Sequence, residues 1–174
     1  MKNKKKLAII SNERTFVKDN EFYCDNVDIK SIPEGLKKNF DVLLLARLSK
    51  TRRSYKINLE NFSLSNNIFG YLYNIFKTFK YKDTNYLLIS ITPYTFLTFI
   101  ILLFFKKKIY IYLRSSGHEE YKAILGFLGP LIFNIMYSFV NYKSHIISCQ
   151  ERLTTKEKYD LVSPSELDDS WFNN

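Results

Sequence analysis

Short apolar runs alternate with longer amphipathic stretches along the whole chain. Lys6–Ser11 (KLAIIS) follows a charged start with consecutive apolar residues, as a buried strand of a parallel sheet does. The polar segment Asn12–Asn20 reads as a loop and Glu21–Asp25 as a short strand. Ser31 and Glu34 have capping-box spacing around Pro33, predicting a brief helix that ends near Asn39. Asp41–Leu45 (DVLLL) is the second buried strand, followed by the basic loop Arg47–Arg53 and an alternating edge strand, Tyr55–Leu59. In Asn67–Phe79 the residues Ile68, Tyr71, Leu72, Ile75, Phe76 and Phe79 recur at helical spacing. Tyr86–Ser90 is the next strand. Thr92 and Pro93 then supply an N-cap and a first helical residue, opening a helix that runs to Phe105. Lys108–Arg114 is a strand, Ser115–Gly117 a turn, and Glu119–Tyr142 a long apolar helical stretch bent or broken at Gly129-Pro130. Ser144–Ser148 is a strand, Lys156–Lys158 lie in a short helix, and Leu161 and Val162 form a last short strand.

Strands apolar on both faces, alternating with helices, predict an α/β fold: a Rossmann-like, doubly wound parallel sheet with helices on both sides. At 174 residues the chain is expected to form one domain, residues 1–174. One stretch points elsewhere. Tyr86–Phe105 carries no charge over twenty residues and is followed by Lys106, Lys107 and Lys108, the length and flank of a membrane span. Thr92-Pro93 interrupts it, and the helix that remains, about thirteen residues, is too short for roughly 30 Å of hydrocarbon. The alternative reading is a non-enzymatic membrane protein with two spans, near 86–105 and 126–142.

Hydrophobic residues at 46% exclude a disordered chain. The net charge of +9 has the sign that favours phosphates or an anionic membrane face, and equally suits any lysine- and asparagine-rich protein. Cys24 and Cys149 stand far apart, as do the two histidines, so no zinc site is expected, and a reduced, cytoplasmic compartment is the simplest inference. After the basic start only Leu7–Ile10 precede polar residues, too few for a signal-peptide core. Ser11-Asn12-Glu13-Arg14 stands where a dinucleotide-binding fold has GxGxxG, and a P-loop is absent, which argues against a dehydrogenase or a nucleotide triphosphatase. Tyr71, Tyr73, Phe76 and Phe79 have core spacing rather than a nucleic-acid motif, so no nucleic-acid partner is expected.

Ligands of open parallel sheets bind outside the carboxyl ends of the strands. Those ends here carry Ser11, Asn12 and Arg14; Arg47; Thr92; Arg114 to His118; Gln150 and Glu151; and Ser163 to Glu166. Arginine suits phosphate or carboxylate because its planar fork donates two parallel hydrogen bonds. Arg114-Ser115-Ser116-Gly117-His118-Glu119-Glu120 is the densest group: a strand-to-helix turn whose backbone N–H groups favour an anion, or a plain turn whose serine caps the helix while the glutamates complement its dipole. His118 and Glu119 are the candidates for general acid/base chemistry, and a histidine in a polar loop is equally consistent with simple solvation. The basic loop Lys50–Arg53 could contact an acidic acceptor or lipid phosphates, or be a solvated charge run.

The order of strands, the Arg114–Glu120 turn, Ser148-Cys149-Gln150 and the segment Ser144–Asn174 together resemble the N-terminal domain of GT-B glycosyltransferases of the retaining, glycogen-synthase-like group. Phe22-Tyr23-Cys24-Asp25, Ser31–Gly35 and Tyr112–Ser115 look like the subgroup that builds bacterial cell-surface polysaccharides. Two departures stand out. Glu166-Leu167-Asp168 and Phe172 occupy the place of the family's Asn-Gly-Val-Asp-type turn and aromatic, without the Asn-Gly. Arg114 stands where many relatives have a cleft histidine, so that role does not pass to His118. The resemblance implies transfer of a sugar from a nucleotide-sugar donor to a glycan or lipid-linked acceptor, without cofactor or bound metal, preorganised positive charge stabilising the departing diphosphate. It assigns acceptor binding to this half and donor binding to a C-terminal domain, missing here beyond the 163–174 tail and supplied in cis or in trans, so that this chain alone is expected to be inactive. The acceptor- or phosphate-binding candidates are Asn12, Arg14, Arg47, Thr92, Arg114, Ser115, Ser116, Gly117 and Glu166. Positive charge with the apolar stretches Pro93–Phe105 and Ala123–Val140 fits peripheral docking on the inner face of the cytoplasmic membrane.

Overall fold

The apolar run after the charged N-terminus becomes an inner strand of a parallel sheet. In the computed structural model, which describes residues 4–163, seven parallel strands lie in the order β5 (Asn61–Ser65), β3 (Phe40–Leu48), β1 (Lys5–Lys18), β6 (Asn85–Ile89), β7 (Ile109–Leu113), β8 (His145–Ser148), β9 (Asp160–Leu161). This is the Rossmann order with one further strand, and the direction of winding reverses between β1 and β6. Alternation along β1 builds two cores. Leu7 and Ile9 face α1 (Val27–Leu36) through Ile29, whereas Ala8 and Ile10 face the layer of α2 (Ile68–Thr78), α3 (Pro93–Phe104), α4 (Gly117–Leu125) and α5 (Leu128–Lys143). Phe99 and Leu102 of α3, both fully buried, each contribute roughly 1.5–3 kcal/mol.

Several local expectations change. The predicted loop after Ser11 is a continuation of β1, which shifts register between Ile10 and Arg14 and then pairs antiparallel with β2 (Glu21–Cys24). Asp19 and Asn20, both at positive φ, make the two-residue turn. β2 pairs in turn with β4 (Tyr55–Ile57), and this small antiparallel sheet curls over the α1 side, where Phe22 stacks on Phe62 with centroids 3.6 Å apart. Helix α1 starts at Val27, its N-cap Asn26 accepting from the Asp28 N–H. The Ser31–Glu34 pair is therefore not a capping box: Ser31 Oγ donates to the Val27 carbonyl inside the helix, and Glu34 accepts from the Asn58 N–H at 2.6 Å. The long C-terminal helix breaks at Gly126 (φ 62°), and Pro130 sits harmlessly in the first turn of α5. Lys156–Lys158 are not helical; a single 3-10 turn covers Glu151–Leu153 instead.

The two-span alternative fails on the same geometry. Residues 86–105 divide into the buried strand β6 and the helix α3, and α5, at sixteen residues, is about 24 Å long. Among the described residues no helix is long and apolar enough to cross a membrane.

The antiparallel sheet is held by surface ion pairs that set its acid response. Lys56 first, then the Tyr23 hydroxyl, hold the Glu21 carboxyl below its ordinary 4.5, and Arg53 with the Ser54 N–H holds Asp25 below 3.8. Because both folded-state values are depressed, their stabilisation is present above those ordinary values and is lost as pH falls through the folded ones. Protection factors of the β2 and β4 amides, which correct for the slower intrinsic exchange in acid, should therefore fall below about pH 4 ahead of those of the parallel core, and Asp25→Asn with Glu21→Gln should remove that step. Both carboxylates are exposed, so the effect is local.

Candidate functional site

The order reversal opens a crevice at the carboxyl ends of β1 and β6. On its β1 side, Arg47 at the end of β3 donates through Nη1 to Asn12 Oδ1 at 3.3 Å, and its guanidinium lies over the ring of Tyr94, 4.6 Å from the centroid. Tyr94, in the first turn of α3, meets Tyr71 edge-on at 5.2 Å, and the Tyr71 hydroxyl donates to the Ser11 carbonyl at 3.0 Å. Burial pushes the Tyr71 phenol up, so it stays a neutral donor that fixes the aromatic wall. Among the described residues no carboxylate lies within ion-pair distance of Arg47. Its remaining N–H groups are available to a ligand.

On the β6 side, Ser90 is held at φ 63°, a strained conformation for a residue with a side chain, directly after the central strand. Its carbonyl accepts from Thr95 Oγ1 at 2.8 Å, and Thr95 closes a capping box with Thr92. Thr92 thus caps α3, as its position predicts, and its hydroxyl is engaged within the helix start.

Arg114 ends β7 and reaches the N-terminus of α1. Its Nη1 lies 3.2 Å from Asp28 Oδ2 and 3.3 Å from Asn26 Oδ1; Asp28 is 4% exposed. Asn26 Nδ2 also approaches Glu13 Oε1 at 3.5 Å, which joins this cluster to the β1 end. The charge of Arg114 is therefore balanced within the protein, and its role is to tie β7 to α1 beside the crevice.

The turn that follows serves packing as well as polarity. A Cβ on Gly117 would stand 2.0 Å from the Phe133 ring, so glycine is needed there for close approach of α4 and α5. Ser115 Oγ donates to Glu120 at 2.6 Å, and Ser116 is the N-cap residue without a side-chain bond. With Glu119, Gln150 and Arg152 these residues line a cleft of about 410 Å³, and Arg152 Nε donates to Gln150 Oε1 at 2.7 Å. His118 is exposed, 5.3 Å from the Phe133 ring, on a separate cavity of about 210 Å³.

The structure thus brings Asn12, Arg47, Thr92 and Arg114 to one edge of the sheet, and groups Ser115, Ser116, Gly117, His118 and Glu119 beside it. Arg14 pairs in register with Arg47 but is exposed, and its side chain makes no hydrogen bond or ion pair among the described residues. Glu166 and the rest of the tail from Pro164 lie outside the described residues. Tyr71, Tyr94, Asn26, Asp28 and Arg152 are site residues that sequence reasoning missed. Asn26 and Asp28 carried one signal, an N-cap residue followed by an acid, obscured by the stronger-looking Ser31–Glu34 pattern. A cavity of about 870 Å³ lies near the other end of the strands, where Lys56 pairs with Glu21, Lys37 donates to the Asn58 carbonyl and Lys4 donates to the Lys37 carbonyl. Burial pushes the Cys24 thiol up to about 12 and also raises Cys149, which disfavours the thiolate at both. Among the described residues no three His, Cys, Asp or Glu side chains are placed to hold a metal ion. In comparisons with known proteins the chain matches no family model, no curated protein and no solved structure.

Proposed function

We propose that this chain is the acceptor-binding half of a glycosyltransferase that moves a sugar from a nucleotide-sugar donor to a glycan or lipid-linked acceptor. The observation that carries the reading is Arg47, held by Asn12 and Tyr94 at the switch point of a Rossmann-order sheet with no carboxylate within ion-pair distance among the described residues. A guanidinium with open donors, next to an aromatic face and an amide, suits a hydroxylated or phosphorylated sugar. The same edge disfavours a dinucleotide: β1 leaves the crevice as a hairpin, and the N-terminus of α1 is already capped by Asn26 and occupied by Arg114. In the reaction the acceptor hydroxyl oxygen bonds to the sugar C1 as the C1–oxygen bond to the diphosphate breaks, and the hydroxyl proton passes to the departing diphosphate. The donor and its diphosphate belong to a second domain, in cis or in trans, and this half supplies orientation.

Membranes from source cells lacking the gene are expected to lose incorporation of a labelled sugar from nucleotide-sugar donors into glycolipid or polysaccharide. The wild-type gene should restore it, Arg47→Lys partly, and Arg47→Ala at a level at least about tenfold lower, the consequence of losing a charge-assisted hydrogen bond. Unchanged incorporation in the deleted cells would contradict the reading.

A further inference from the structure

Helix α5 is apolar on two sides. Gly129, Phe133, Met136 and Val140 face the core, while Leu128, Leu131, Ile132, Ile135, Phe139 and Tyr142 form a second helical stripe that stays largely exposed among the described residues. Among the described residues, thirteen of the nineteen exposed large apolar side chains lie between Leu97 and Tyr142, so the exposure is concentrated on one helical layer rather than scattered. Phe127, at the link between α4 and α5, is 86% exposed, and Phe104 of α3 is 81% exposed. Phe96 against Phe139, with centroids 6.4 Å apart, joins α3 and α5 into one surface.

The side chains of Ser138 and Asn141 in α5 bond within the protein, although Asn134 and Ser138 are themselves exposed. Ser138 Oγ donates to the Asn134 carbonyl at 2.8 Å, and Asn141 Nδ2 donates to Thr155 at 3.3 Å. Between Lys122 and Lys143 there is no charged residue, and Lys106, Lys107 and Lys108 follow directly on α3. A protein interface of ordinary size carries regular hydrogen-bonding groups. This one offers a greasy centre with a lysine rim, complementary to acyl chains beneath anionic headgroups.

We infer that the outer face of α3 and α5, with the α4–α5 link, docks on an anionic lipid bilayer. The helices lie in the interface plane, Phe127 and Ile135 entering the acyl boundary and Lys106–Lys108 meeting lipid phosphates. Lipid docking by this face is independent of sugar transfer. The α4–α5 pair starts at the carboxyl end of β7, so the docked surface adjoins the edge that carries Arg114 and Ser115.

Flotation of the full chain with phosphatidylglycerol–phosphatidylcholine vesicles tests it. The chain should float with these vesicles, less at high salt, and poorly with phosphatidylcholine alone. Phe127→Glu with Ile135→Glu should lower flotation at least about tenfold, since both side chains leave the acyl region. Replacing Lys106–Lys108 by glutamine should weaken binding to the anionic vesicles selectively. Both sites are solvent-facing, so the variants should melt close to wild type, and a melting curve checks that the loss is not unfolding. Absence of flotation, flotation indifferent to the variants, or a dimer in solution that the variants dissociate in place of vesicle binding would overturn the inference. Flotation intact with sugar transfer absent would sink only the transferase reading.

Discussion

Gly129→Val is expected to lower the melting temperature by roughly 6–12 °C, the equivalent of about 3 kcal/mol for a chain of this size. A Cβ at that position would stand 2.0 Å from the Tyr121 carbonyl oxygen and 2.7 Å from the Lys122 nitrogen, both backbone atoms that cannot swing aside. Helices α4 and α5 would have to separate, taking Tyr121 and Phe133 out of the larger core. Helix propensity alone predicts the opposite sign, since glycine inside a helix is about 1 kcal/mol worse than alanine. Gly35→Ala in α1 supplies the contrast: nothing lies within 4 Å of its Cβ, and that change should stabilise by roughly 0.5–1 kcal/mol. Paired melting curves check both signs. A Gly129→Val protein that melts with wild type would mean that α4 and α5 are not in backbone contact.

Arg114→Met is expected to destabilise by about 2 kcal/mol, because it removes the guanidinium facing a buried carboxylate. Its partner Asp28 is 4% exposed, while Arg114 itself is partly open to solvent, which places the effect below that of a fully buried pair. Asp28→Asn in the same chain should recover most of the loss, since the charge that needed neutralising is gone. Denaturant midpoints of the two single variants and the double variant form the cycle that isolates the pair. If the double variant were as unstable as the sum of the singles, Arg114 and Asp28 would not be coupled, and Arg114 would stand as an uncompensated cation at the crevice.

The strands that carry the parallel core were legible because each is an uninterrupted apolar run: KLAIIS, DVLLL and YLLIS need no partner to be recognised. The start of α3 was legible too, since Thr92 and Pro93 act locally. What escaped depends on distant partners. β5 has only Phe62 and Leu64 as apolar residues, and its strand character comes from pairing with β3. The extension of β1 is polar and is held by β2 across the Asp19-Asn20 turn. Ser31 and Glu34 fit a capping pattern that Asn26 had already satisfied one turn and more upstream.

The same division holds at the site. Asn12, Arg47, Thr92 and Arg114 were found because strand order alone puts them at the carboxyl edge. Their individual roles were not, because those depend on contacts across the fold: Tyr94 over Arg47 comes from the far side of β6, and Asp28 reaches Arg114 across 86 positions of chain. Gly117 looked like part of an anion-binding turn, and its observed duty is to admit Phe133.

Acceptor binding is read out by amide chemical-shift mapping of the isotopically labelled chain, titrated with a short-chain polyprenyl-diphosphate-linked sugar. Acceptor binding at the switch point predicts perturbations at Asn12, Arg47, Ser90 to Tyr94 and Arg114 to Ser116, abolished by Arg47→Ala, with nucleotide sugars leaving those amides unmoved. Perturbations confined to the opposite cavity around Lys37 and Lys56, or a response to nucleotide sugars alone, would contradict it.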